Sequence, residues 1–165
     1  FFNDTGERQK FAHVSVTGDS DSAFLLGGWM AEGAPFLARL NGKINEWQTR
    51  LAPFRDEPMI AFHDDWSYFA NRFRLNIVDF MAARDRAPPK RAKIAELVKL
   101  IKARNIKLIL AEANQPERHA NKLAQQTGAR VVALAGSVGE LPQTEDYISL
   151  FEANVNALVA AKKVK

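Results

Sequence analysis

The chain has 165 residues, 47% hydrophobic and 25% charged, the composition of one ordinary domain able to bury a core of its own. Its 23 Lys and Arg against 19 Asp and Glu give a formal net charge of +4, with acidic residues interleaved, so the basic excess reads as a solvated surface and not as a nucleic-acid footprint. There is no cysteine, which excludes disulfides, thiolate catalysis and Cys-based zinc sites, and no run of ~18 apolar residues that would make a membrane span.

Residues 1–32 read as a loosely specified leader: FFNDTGERQK lacks the basic start and apolar core of a secretory signal, and GDSDS and Gly27-Gly28 interrupt the small apolar patch AFLLGGWM. Residues 33–165 read as an α/β lobe. From Phe36, the apolar residues Leu37, Leu40, Ile44, Trp47 and Leu51 recur every three or four positions, which predicts a helix ending near Pro53. Four short apolar runs follow, MIAF (59–62), NIVDFM (76–81), KLILAE (107–112) and RVVALA (130–135), and these predict strands buried on both faces.

Helical patterns separate the strands. Asp65 is placed to cap a helix through Arg72, with Trp66, Tyr68, Phe69 and Phe73 as its core face. Ile94, Leu97, Val98 and Ile101 form a stripe on a helix opened by Pro88-Pro89, and Pro116 and Gly128 bracket the next. Thr144 is the expected cap of a last helix, with Glu145 and Asp146 in its first turn and Tyr147, Ile148, Phe151, Val155 and Leu158 inward. The alternation predicts a four-stranded parallel sheet flanked by helices.

In such sheets ligands gather outside the carboxyl ends of the strands. His63 follows the first strand, Glu112 ends the third, and Gly136-Ser137-Val138-Gly139 follows the fourth, so all three are expected at one edge. A histidine in that position is either a capping, partly buried ring or a ligand. Glu112 is costly to bury alone and needs solvent, a cation or His63. No GxSxG, GxGxxG or GxxxxGK[ST] motif occurs. Two competing readings remain: a hydrolase or transferase with His63 as general base, Glu112 as its orienter and Ser137 as nucleophile, and a nucleic-acid module using the basic helix 90–104 in the stretch running from Arg84 and Arg86 to Lys107.

The segments MIAFHDDWSYFANRFRL, IAELVKLIKARNIKLILAE, TGARVVALAGSVG and DYISLFEANVNAL, in that order, resemble the carboxyl-terminal lobe of the zinc/manganese solute-binding proteins of ABC importers. The likeness covers residues 36–162, and HDDWSYF is its most specific element. It implies one lobe of a two-lobed periplasmic or extracytoplasmic receptor, without catalytic turnover, that passes its metal to a membrane permease. His63 matches the second-lobe histidine ligand, and a hydrogen bond from its other ring nitrogen to Asp64, Asp65 or Glu112 would fix its tautomer. The other ligands would lie in a first, amino-terminal lobe that this chain lacks, so zinc, or manganese as the alternative, should bind here weakly. Two departures are visible: Gly136 and Ser137 stand where many relatives place an aspartate ligand, leaving water or Glu140 to substitute, and His13 has no family match. A lobe face left uncovered would favour a dimer.

Overall fold

The computed structural model describes residues 29–82, 88–113 and 118–163. Residues 1–28 of the expected leader, with His13, and Arg84, Arg86 and Pro116, lie outside the described residues, whereas its last four, 29–32, open helix α1. The chain divides at Gly42/Lys43 into two units. The first contributes the opening turns of helix α1 (Trp29–Leu51), where Phe36 and Leu37 are exposed. This helix starts before the expected Phe36 and carries Pro35 within it.

The second unit contains strands β1 (Pro58–Ala61), β2 (Asn76–Phe80), β3 (Leu108–Glu112) and β4 (Arg130–Leu134). Between and after them lie helices α2 (Ser67–Phe73), α3 (Arg91–Arg104), α4 (Arg118–Thr127) and α5 (Tyr147–Lys163). All pairings are parallel, in the order β2-β1-β3-β4, so the predicted four-stranded sheet is present. From β1 the chain first adds a strand on one side, then crosses back to add two on the other. Right-handed crossovers therefore put α2 and α3 on opposite faces.

Strand periodicity assigns the side chains. Ile60, Phe62, Ile109 and Ala111 form one core with Leu97 and Ile101 of α3 and Ala120 and Leu123 of α4. Over the other face, aromatic rings lock helix to helix: Trp47 stacks on Phe151 at 5.5 Å and meets Phe73 edge-on at 6.4 Å, and Phe69 lies 4.8 Å from Phe73. The periodic stripe of α1 is fully buried only at Trp47 and Leu51.

Helix ends follow capping chemistry with two shifts from expectation. Asp65 makes no cap bond; a 3₁₀ turn at Asp64–Trp66 precedes α2, and the Asp64 carboxylate accepts from the Ser67 hydroxyl instead. At α5 the cap is Asp146, not Thr144. Asp146 Oδ1 accepts from the Ser149 amide at 2.7 Å and Ser149 Oγ accepts from the Asp146 amide at 2.9 Å, a reciprocal pair that satisfies two donors at once. Thr144 is buried and ties its own loop to Leu141.

One ion cluster fastens the last turns of α1 to α5. Glu152 accepts from Trp47 Nε1 at 2.9 Å, from Lys43 Nζ at 3.2 Å and from Arg50. Partial burial pushes its pKa upward, but the hydrogen bonds from Trp47, Arg50 and Lys43 outweigh it and hold the carboxyl down at about 2 against an ordinary 4.5. A depressed folded-state pKa contributes stability that is complete above the unfolded value and drains as pH falls toward the folded one. The thermal midpoint is therefore expected to fall from pH 4.5 toward pH 2, more steeply in the wild type than in Glu152→Gln; parallel melting curves for the two across that window would rule the cluster out as the cause.

Candidate metal centre

The sheet order places β1 and β3 side by side at the point where chain direction reverses, and the carboxyl end of such a pair opens into a crevice. His63 lies two residues beyond β1 and Glu112 closes β3. Their side chains meet: His63 Nδ1 is 3.2 Å from Glu112 Oε2. Trp66 Nε1 donates to the other oxygen, Oε1, at 3.2 Å. His63 is 5% exposed and Glu112 7%, so the carboxylate is sealed beneath the ring with a donor on each oxygen.

This arrangement sets the imidazole chemistry. Against an ionised carboxylate, which only accepts, the shared bond requires its proton on Nδ1, and a neutral ring then keeps its lone pair on Nε2. Among the described residues Nε2 has no hydrogen-bond partner. The ring is steadied edge-on by Phe62 at 4.6 Å. A neutral histidine with Nδ1–H held by a carboxylate is the arrangement that presents Nε2 to a metal.

Around the ring opens a cleft of about 430 Å³, lined by residues including Asp65, Tyr68, Ser137 and Asn154. A ring nitrogen of His63, a carboxylate oxygen of Asp65 and one of Glu112 all lie within 4.8 Å of one another, a donor set of imidazole and carboxylates that fits a divalent transition metal. The wall opposite β1 is the loop after β4. It is held by Asn154 of α5, whose amide both accepts from the Ala135 N–H at 2.8 Å and donates to the Ala135 carbonyl at 2.9 Å. Glu140 folds back to accept from the Gly136 and Ser137 amides, the latter at 3.0 Å. That carboxylate braces its own loop.

Of the carboxylates singled out in the sequence, Glu112 contacts His63, Asp65 stands exposed beside it, and Asp64 is occupied by Ser67. His63 bonds Glu112 and makes no hydrogen bond to Ser137. Two contributors escaped the sequence reading. Trp66 looks like any core aromatic, and nothing in the sequence marks its indole as a donor. Asn154 did leave a signal, since it interrupts the apolar stripe of α5 four residues from both Leu150 and Leu158. Tyr68, expected in the core, is 88% exposed and lines the cleft, and Tyr147 and Val138 are exposed as well.

A family model described as "Zinc-uptake complex component A periplasmic" matches residues 30–161. Over 143 residues the chain is 24% identical to the zinc-binding protein AdcA of Streptococcus pyogenes, covering 81% of this chain and 28% of that protein. Over 121 residues it is 26% identical to the high-affinity zinc uptake system protein ZnuA of Brucella abortus, covering 73% and 36%. Among solved structures, a ZnuA crystal structure superposes with a TM-score of 0.69 at 23% identity over 82% of this chain and 50% of that one. The Mn-bound periplasmic metal binding protein of Candidatus Liberibacter asiaticus gives 0.66 at 15% identity over 80% and 50%. The chain thus spans about half of the solved relatives and about a third of the curated ones.

Removing the carboxylate should release the ring. In Glu112→Ala the Nδ1–H population of His63, read from ¹⁵N ring shifts, is expected to fall, with a stability loss of about 1–3 kcal/mol from the donors left unpaired; an unchanged tautomer would show that something other than Glu112 sets it.

Proposed function

The chain belongs to the ZnuA family of periplasmic zinc-uptake components, and from that premise we propose that it is the carboxyl-terminal lobe of an extracytoplasmic receptor that captures zinc for an ABC importer. In this reading His63 is a metal ligand through Nε2, and Glu112 orients it from behind. The remaining donors come from a first lobe that closes over the cleft, and the membrane permease receives the ion. The observation that carries the reading is the buried His63–Glu112 pair, which leaves one ring nitrogen free at the strand crossover.

The physics of transport favours a divided site. Zinc binds imidazole nitrogen at ~2.0 Å and is satisfied by four donors, so a lobe offering one histidine and nearby carboxylates holds it weakly. Closure of a second lobe completes the shell and reopening undoes it, which couples affinity to conformation and permits release. The exposed Tyr68, Val138 and Tyr147 supply apolar surface for such a closing lobe, or for a second copy of the chain. Manganese is the alternative cargo, in keeping with the carboxylates at the site. The site then serves binding and not turnover, and the enzyme alternative has less support because His63 holds no nucleophile.

Calorimetric titration with zinc tests this directly. His63→Ala is expected to lose most of the affinity while retaining the far-ultraviolet circular dichroism and melting profile of the wild type; an unchanged affinity would reject His63 as a ligand.

A further inference from the structure

Among the described residues, the turn after β1, the end of β3 and the loop after β4 carry six carboxylates, and five are engaged, Glu145 by the Gln143 amide. Glu112 accepts from His63 and Trp66. Asp64 accepts from Ser67. Glu140 accepts from the Gly136 and Ser137 amides, and Asp146 caps α5. Asp65 alone has no hydrogen bond or ion pair among the described residues. It is also exposed, lines the cleft and stands two residues from His63.

We propose that Asp65 binds the captured ion directly, so that this lobe supplies two donors of its own, His63 Nε2 and an Asp65 carboxylate oxygen. The inference rests on the reading of His63 as a ligand. It is carried by the buried ring of His63, which lines the cleft, and by Asp65, which lines the same cleft. In a tetrahedral site with bonds of ~2.0 Å the donors lie roughly 3.3 Å apart. A ring nitrogen of His63 lies within 4.8 Å of a carboxylate oxygen of Asp65, and the exposed aspartate can rotate toward the ring. Glu112 is the poorer candidate for the same place, because both of its oxygens already accept hydrogen bonds, one from Trp66 and one shared with His63 Nδ1.

The loop after β4 explains why an acid is needed on this side. Its carboxylates are committed to the loop itself: Glu140 Oε2 accepts from the Gly136 and Ser137 amides while its Oε1 is buried without a partner among the described residues, Glu145 accepts from the Gln143 amide, and Asp146 caps α5. A divalent cation held by neutral imidazole gains from an anionic oxygen both charge compensation and a harder donor. Asp65 supplies both from the turn that already presents His63. The bound ion would thus be held by a His-x-Asp chelate before any further donor arrives.

The test is a zinc titration of the full chain, comparing wild type with Asp65→Asn, Asp64→Asn and His63→Ala. Calorimetry gives the affinity and the ¹³C carboxyl resonance of Asp65 reports direct contact. The expected result is that Asp65→Asn weakens zinc binding by more than about tenfold, beyond what loss of an outer-shell partner need cost. Asp64→Asn should match the wild type, and the Asp65 resonance should move as zinc is added. If His63→Ala abolishes binding while Asp65→Asn does not change it, or the Asp65 resonance stays still, Asp65 is not a ligand and the reading of His63 survives. If His63→Ala binds like the wild type, both fall. No saturable binding up to millimolar zinc would overturn the claim that the lobe holds the ion by itself.

Discussion

The hydrogen-bonded carboxylate of Glu112 is the constraint on which the site depends. A carboxylate this deeply buried costs several kcal/mol unless its lone pairs are satisfied. Here Trp66 Nε1 and His63 Nδ1 each satisfy one oxygen. The price of burial thereby becomes the means of fixing the ring. Because Glu112 is set by β3 and His63 by the end of β1, the pair is only as well placed as the pairing of these two strands, which runs from Met59↔Leu108 to Ala61↔Leu110.

That pairing is in turn a product of topology. The crossover from β2 over β1 to β3 makes β1 and β3 neighbours although His63 and Glu112 stand 49 positions apart in the sequence. Helices α3 and α4 clamp one face through Leu97, Ile101, Ala120 and Leu123, and the rings of Trp47, Phe69, Phe73 and Phe151 clamp the other. Neither set touches a ligand. Their contribution is to deny the two strand ends any other register, since a one-residue slip would turn Glu112 toward the opposite face.

Much of this was legible in the sequence, because runs of four to six apolar residues between helical stripes carry a strong period signal. His63 and Glu112 could be assigned to one sheet edge for the same reason. What the sequence hid was contact chemistry. The capping box of Asp146 and Ser149 lies two residues beyond Thr144, and both positions satisfy the same local pattern, so only the backbone decides between them. Tyr68 and Tyr147 follow the apolar spacing of their helices, yet both are exposed, because each stands near the start of its helix, where the packing partner has not yet begun. Arg74 and Asn105 adopt left-handed backbone at helix ends, where glycine would have announced the stop.

The two donors that we propose for this lobe differ in freedom, and on that reading the difference bears on how an ion is captured and surrendered. His63 is sealed, braced by Phe62 and bonded to Glu112, so its nitrogen is preorganised and loses little entropy on binding. Asp65 is exposed and unrestrained, so it must be ordered when it closes on a cation and regains its freedom when it lets go. A fixed donor ensures that the ion is met in one place, while a mobile one lets the coordination shell fill and empty in steps without disturbing the fold. Under the proposed receptor function, that division serves release better than two rigid ligands, which would bind more tightly and offer no low-energy first step toward it.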